Sequence, residues 1–177
     1  MRLLKLIGTS LNMNVRTIVI FFAVMLAIVV GLSFLVTSKQ PIQPQAANYS
    51  SQNSDRPRVE TSDNFSDAGE IKVSDVIIRD FPIKNTGNKP VQLLNINSSC
   101  GCTSGKIIYK DFQSKEFGMH VQSGFVTEIA PGDIATMRLT YRPATMPVYG
   151  LVERSVYLST NDPDNPKLTF SLKAIVR

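Results

Sequence analysis

The chain has 177 residues, 43% of them hydrophobic, and a net charge of +5, which is room for one ordinary domain with additional segments. The charge is unevenly placed. Residues 1–58 hold six basic side chains (Arg2, Lys5, Arg16, Lys39, Arg56, Arg58) and one acid, Asp55, so residues 59–177 carry 13 of each sign and are neutral. A neutral domain has no field to attract a phosphate backbone, which argues against a nucleic-acid partner.

In chain order, residues 1–16 read as a short cytoplasmic tail. Thr17–Val36, "TIVIFFAVMLAIVVGLSFLV", follows with twenty residues and no charge; as a helix it covers about 30 Å, the thickness of a hydrocarbon core. A cleaved signal peptide has a shorter apolar stretch, about 7–15 residues, and no good small-x-small site follows promptly, "QPQAA" at 43–47 being a poor one. The segment is therefore expected to be an uncleaved transmembrane anchor. Arg2, Lys5 and Arg16 precede it and only Lys39 follows closely. The positive-inside rule then keeps the N-terminus in the cytoplasm and exports the remainder to the periplasm or the cell exterior. Residues 37–66 are rich in Gln, Ser, Asn and Pro, a composition that buries too little surface to order itself, and are expected to form a flexible linker.

The folded domain is expected over 67–177, with short Val-, Ile-, Thr-, Tyr- and Phe-rich runs already visible from Val59. Turn residues separate the runs, and no helical period persists. In "VSDVIIRDFPIKN", Phe81 and Ile83 share one face; Pro82, which lacks an N–H, belongs at an edge or bulge. "NTGNKP" turns. In "VQLLNI" the pair Val91 and Leu93 is one residue out of phase with Leu94 and Ile96, so a bulge near Leu94 is needed to bring both pairs to one core. After "APGD", Met137, Leu139 and Tyr141 point one way, as do Val156 and Leu158; "NDPDNP" turns again, and Leu168, Phe170, Leu172, Ala174 and Val176 close the alternation. About seven strands at this spacing suit two packed antiparallel sheets, an all-β sandwich. Residues 104–128 are long for a connection, yet Ile107, Tyr109, Phe112 and Phe117 point to partial packing, and an extra hairpin is expected.

Several of these residues occur together in a known pattern: Phe81 with "NTG" at 85–87, Pro90 before "VQLLNI", "SCGCT" at 99–103, "PG" at 131–132, "LTYRP" at 139–143, Gly150, and "TNDPDNP" at 160–166. In this order they resemble the bacterial domain of unknown function 1573, an immunoglobulin-like β-sandwich related to Hydin-type domains, over about Gly69–Val176. The resemblance implies the fold. It implies no activity, since the family has no established biochemical function and a fold supplies none. The chain departs from the pattern in its longer stretch between Cys102 and Pro131, and in Ala174 where a late glycine is usual.

Cys100 and Cys102 are the only cysteines, and export places them where disulfides persist. Three readings stand. The sulfurs bond to each other, which needs a sharp turn that Gly101 permits, and the small ring is then easily reduced and open to thiol exchange. Alternatively both thiolates hold Cu(I), with Met119 and His120 of "GMH" folding back as further ligands. In the third, Cys100 ends a strand as a small apolar residue and Cys102 sits in the turn. A Cys-x-Cys alone is a thin metal signal, because a closed site needs three or four ligands.

Other enzyme chemistry is not expected. Any triad must recruit His120, the only histidine, and neither GxSxG nor HExxH occurs. Asp162 and Asp164 read as turn formers. The expectation is a single-pass membrane protein presenting an immunoglobulin-like module that binds an envelope protein, with no cofactor and no small-molecule substrate. The alternative is a copper-handling or thiol-redox factor working through Cys100 and Cys102.

Overall fold

The computed structural model describes residues 14–37, 47–120 and 123–177; residues 1–13 of the expected tail and 38–46 of the expected linker lie outside them. The uncharged run forms helix α1, Val15–Thr37. Its window Val15–Ser33 is apolar, and none of it is buried against protein. At 1.5 Å per residue the helix is about 34 Å long, enough to cross a bilayer. The Ser33 hydroxyl donates a hydrogen bond to the carbonyl of Val29 at 2.8 Å, one turn back on the same helix.

The chain divides into two units, Met1–Ile42 and Gln43–Arg177. The second is an all-β sandwich. Its strands are β1 (Val59–Glu60), β2 (Phe65–Ile71), β3 (Ile77–Asn85), β4 (Val91–Ser98), β5 (Thr103–Tyr109), β6 (Phe112–Gln113), β7 (Phe125–Ile129), β8 (Ile134–Tyr141), β9 (Gly150–Thr160) and β10 (Lys167–Val176). One sheet has the order β1-β3-β8-β5-β6 and the other β2-β10-β9-β4-β7. Every pairing is antiparallel except β2 with β10.

The period-two alternation fixes which side chains meet between the sheets. Phe81, Ile83, Ile107, Met137, Leu139 and Tyr141 from one sheet pack against Val91, Leu93, Ile96, Val156, Leu158, Phe170 and Leu172 from the other, all buried. The rings of Phe81 and Phe170 sit 5.4 Å apart at the centre. Gly105 on β5 is the thinnest point of this packing: a Cβ there would fall 2.5 Å from Val156 Cγ1.

The phase slip in β4 is resolved by a register shift between Leu93 and Leu94 against β7, with Asn95 in the left-handed region at φ 51°. Val91, Leu93, Leu94 and Ile96 are consequently all buried. Pro82 also falls where its chemistry requires: β1 covers only Lys84 and Asn85, leaving β3 an edge strand at Pro82. The long 104–128 stretch supplies β5, the short β5–β6 hairpin, a bridge from Phe117 to Gly105, and β7.

Strand structure starts earlier than residue 67. Val59 and Glu60 pair with β3, β2 begins at Phe65, and Arg56 is buried. Only Ile71 of β2 is buried, so the strand lacks the apolar alternation by which sequence reveals strands. What orders Arg56–Val59 is distant in the chain. Asp162, 1% exposed, accepts hydrogen bonds from Val59 N (2.8 Å), Asp164 N (3.0 Å) and Asn165 Nδ2 (3.0 Å), and Arg56 pairs with Asp164.

The same end of the sandwich holds the buried Asn85. Its Nδ2 donates to the carbonyls of Lys89 and Ile129, both at 2.9 Å, and its Oδ1 accepts from Gly87 N at 3.0 Å. "NTG", "PG" and "NDPDNP" are therefore parts of one polar network that ties the β3–β4, β7–β8 and β9–β10 turns. Gly87 is required there because a Cβ would collide with the backbone of Arg56, Pro57 and Arg58.

Candidate functional site

The opposite end carries three of the connections that cross between sheets: 72–76, 99–102 and 142–149. Register brings them together, since Tyr141 pairs with both Ile77 and Thr103, and Val176 pairs with both Gly150 and Ile71. The Cys-Gly-Cys turn forms the middle connection.

Cys100 and Cys102 form a disulfide, with Cα atoms 5.3 Å apart. The two sulfurs are not equivalent in their surroundings. Cys102 is 3% exposed and belongs to the core, whereas Cys100 is half-buried at the surface. The buried Thr103 hydroxyl lies 3.3 Å from Cys100 Sγ and 3.9 Å from Cys102 Sγ; a disulfide sulfur has no hydrogen, so the hydroxyl is the donor.

The turn is also held by backbone. Thr103 N donates to Cys100 O (3.3 Å), Ser98 Oγ to Cys100 O (2.8 Å), and Arg142 N to Cys102 O (2.8 Å). Ser99 N donates to Ser155 O at 2.9 Å and Ser155 N to Ser99 Oγ at 3.0 Å, stitching the turn to β9. Closing so short a loop restrains the unfolded chain little: the chain-entropy relation gives about 1.6 kcal/mol for three residues against about 3 kcal/mol for fifteen. As a staple this disulfide is weak.

Two segments flank it. The first is the loop before β9. A Cβ on Gly101 would lie 3.5 Å from Met146 Sδ, so the Met146 thioether rests over the turn. Met146, Val148, Tyr149 and Leu151 are all exposed, the last two at 66% and 68%. Nothing in the spacing of "ATMPVYGL" marks Met146; the clue is the fold, which lays this loop across the cysteine turn. The second segment is the stretch after β6. Arg142 donates to both carboxylate oxygens of Glu116, at 3.0 and 3.2 Å, and Ser104 Oγ donates to Glu116 Oε2 at 2.7 Å. Arg142, followed by Ser104, holds the Glu116 carboxyl below its usual range. Beside them Arg154 stands at a core-facing position of β9, between Val152 and Val156, with its guanidinium 5.8 Å from the centre of the Tyr141 ring.

Met119 and His120 lie elsewhere. They line a cleft of about 640 Å³ with Asn95, Ile96, Asn97, Ser123 and Gly124, and neither cysteine lines it. The β4 bulge holds the far wall of the cleft: Gly124 O accepts from Asn95 N at 2.8 Å and Ser123 Oγ from Ile96 N at 2.7 Å. Among the described residues, no three His, Cys, Asp or Glu side chains gather as a metal-binding group. Cu(I) binds thiolates, so copper chemistry at Cys100 and Cys102 starts only from the reduced pair.

The fold has many solved counterparts. A protein of unknown function from Porphyromonas gingivalis W83 superposes with a TM-score of 0.55 at 18% identity, over 75% of this chain; this chain spans 53% of that one. A PapD-like domain of human CEP192 gives a TM-score of 0.46 at 12% identity, covering 78% of this chain and 97% of that one. A family 123 glycoside hydrolase from Clostridium perfringens gives 0.47 at 13%, covering 64% and 23%. These likenesses concern the sandwich alone. No curated protein matches the sequence. The family described as "Protein of unknown function (DUF1573)" matches residues 59–176, and with two thirds of its length inside that match the chain belongs to this family.

Proposed function

We propose that the chain is an envelope module that binds another envelope protein through the sandwich end bearing the Cys-Gly-Cys turn. In this reading α1 stays in the membrane as an uncleaved anchor, residues 1–16 remain in the cytoplasm, and the sandwich folds in the periplasm or outside the cell. Arg2, Lys5 and Arg16 ahead of the helix support that orientation, and the disulfide suits an oxidising compartment.

The observation that carries the binding surface is the run Met146, Val148, Tyr149 and Leu151, four exposed large apolar side chains within six residues, the first of them resting against Gly101. Contiguous apolar surface on a soluble domain marks contact with another molecule, and an aromatic among aliphatic residues has the composition of an interface centre.

The 104–128 stretch reaches this end through Glu116, held by Arg142; its exposed apolar residues lie elsewhere, Phe112 opposite Tyr109 at the far end of β5 and Met119 in the Asn95 cleft. It is not a detachable lobe, because Ile107 and Phe117 are buried in the core, so deletion would unfold the domain and point variants are the cleaner probe. A photo-crosslinking residue at Tyr149 of the full chain in its native host tests the proposal. A discrete crosslinked band, lost in the Met146→Ser/Leu151→Ser variant, is the expected result. Crosslinks from Lys84 at the opposite end with none from Tyr149 would place the partner elsewhere and refute this surface. Orientation is read separately: external protease should digest a tag placed after Arg177 in spheroplasts.

A further inference from the structure

We infer that the Cys100–Cys102 disulfide is a thiol-exchange site that opens at Cys100, with an accessible thiol of another molecule as its substrate. This goes beyond the binding role and does not depend on it.

Three observations converge. The bond contributes little as a staple, since its loop is only three residues long. The turn keeps its own hydrogen bonds from Ser98, Thr103 and Arg142, so it retains its shape when the sulfurs separate. Access is one-sided: Cys100 is half-buried at the surface and Cys102 lies in the core. An incoming thiolate therefore reaches Cys100 Sγ and not its partner.

The step balances without another reactant. The substrate thiolate attacks Cys100 Sγ, the Cys100–Cys102 bond breaks, and Cys102 leaves as a thiolate that takes a proton from water. A second substrate thiol then attacks the substrate sulfur of the mixed disulfide and releases Cys100, which is protonated in turn. Two substrate thiols become one disulfide, and the pair gains two electrons and two protons. Thr103 is the positioning residue. Its hydroxyl, within reach of both sulfurs, donates to whichever carries negative charge, and hydrogen bonds strengthen when the acceptor is ionised.

The test uses the full chain in detergent micelles, mixed with either reduced glutathione or an unstructured two-cysteine peptide, quenched in acid and mapped by mass spectrometry. The expected result is an adduct on Cys100 and reduction of the pair while the β-sheet circular dichroism is unchanged. Thr103→Val slows the exchange about tenfold, as loss of one hydrogen bond to a charged sulfur implies, and Thr103→Ser restores the rate. Reaction with the peptide alone assigns the substrate to protein thiols, and reaction with glutathione alone to small thiols. An adduct on Cys102, reduction that keeps pace with global unfolding, or no reaction with either probe overturns the inference. The wild-type mapping decides it even if Thr103→Val fails to fold.

Discussion

Arg142 grips Glu116 with both terminal guanidinium nitrogens, at 3.0 and 3.2 Å, while its backbone N–H holds the carbonyl of Cys102. One residue thus joins the end of β8, the cysteine turn and the stretch after β6. Both partners are more than a third exposed, so Arg142→Ala is expected to cost no more than about 1 kcal/mol in global stability. Its effect should instead be local. Amide hydrogen exchange should accelerate at Ser114–Gly118 and leave β9 and β10 unchanged; uniform protection across both regions would show that the ion pair does not order the segment.

Acid should destabilise the sandwich through its paired carboxylates. Asp80 is held low by Arg138, Glu116 by Arg142, Asp133 by Lys110 and then Tyr109, Asp164 by Arg56, and Glu70 by Arg177. A carboxyl depressed in the folded state contributes its full stabilisation above its unfolded pKa and loses it as pH falls through the lower folded value. The thermal midpoint should therefore be level from neutrality to about pH 5 and fall steadily below about pH 4, near the unfolded values of Asp and Glu. A midpoint unchanged at pH 2.5 would contradict these pairings.

Asp162 is the costliest single polar site. Asp162→Ala strands the buried N–H of Val59 and removes the hydrogen bonds to Asp164 and Asn165, and is expected to cost about 3 kcal/mol. Asp162→Asn retains an acceptor and should cost less. Urea denaturation of the two variants should preserve this order.

Gly105→Ala tests the packing between sheets. The added methyl would meet Val156 Cγ1 at 2.5 Å, Ile96 Cγ2 at 3.1 Å and Met137 Sδ at 3.3 Å, an overpacking expected to cost about 1–3 kcal/mol. The double variant Gly105→Ala/Val156→Ala should recover part of the loss, because it removes the methyl that clashes; strict additivity in a denaturant cycle would show that Gly105 acts through its backbone.

Cys100→Ser/Cys102→Ala, which puts no hydroxyl at the core position of Cys102, should remain folded and lose only about 1.6 kcal/mol. A loss twice that size would make the bond an important staple after all.

Much of this architecture was legible because alternation is a local signal. The inward faces of β3, β8, β9 and β10 follow from every second residue, and the Leu93–Leu94 slip announced its own bulge. β2 was hidden because six of its seven residues escape burial, and Arg56–Val59 because they are held by β3 and the β3–β4 turn and by Asp162 and Asp164, over 100 residues away. The cysteine turn was equally visible as a motif. Its surroundings were not: Met146, Glu116 and Arg142 reach it only through the course of two loops, and no period in sequence records where a loop comes to rest. The bulge residue Asn95 likewise settled where Gly124 lies, beside the cleft that Met119 and His120 line.

The Asp162 network has a mechanical consequence. A pull on the chain ahead of Arg56 is transmitted through the ion pair with Asp164 and the bond from Val59 to Asp162, directly into the β9–β10 turn. Tension is thereby shared with the two longest strands, β9 and β10, rather than spent in peeling the two-residue β1, and the sandwich behaves as a load fastened by its longest hairpin.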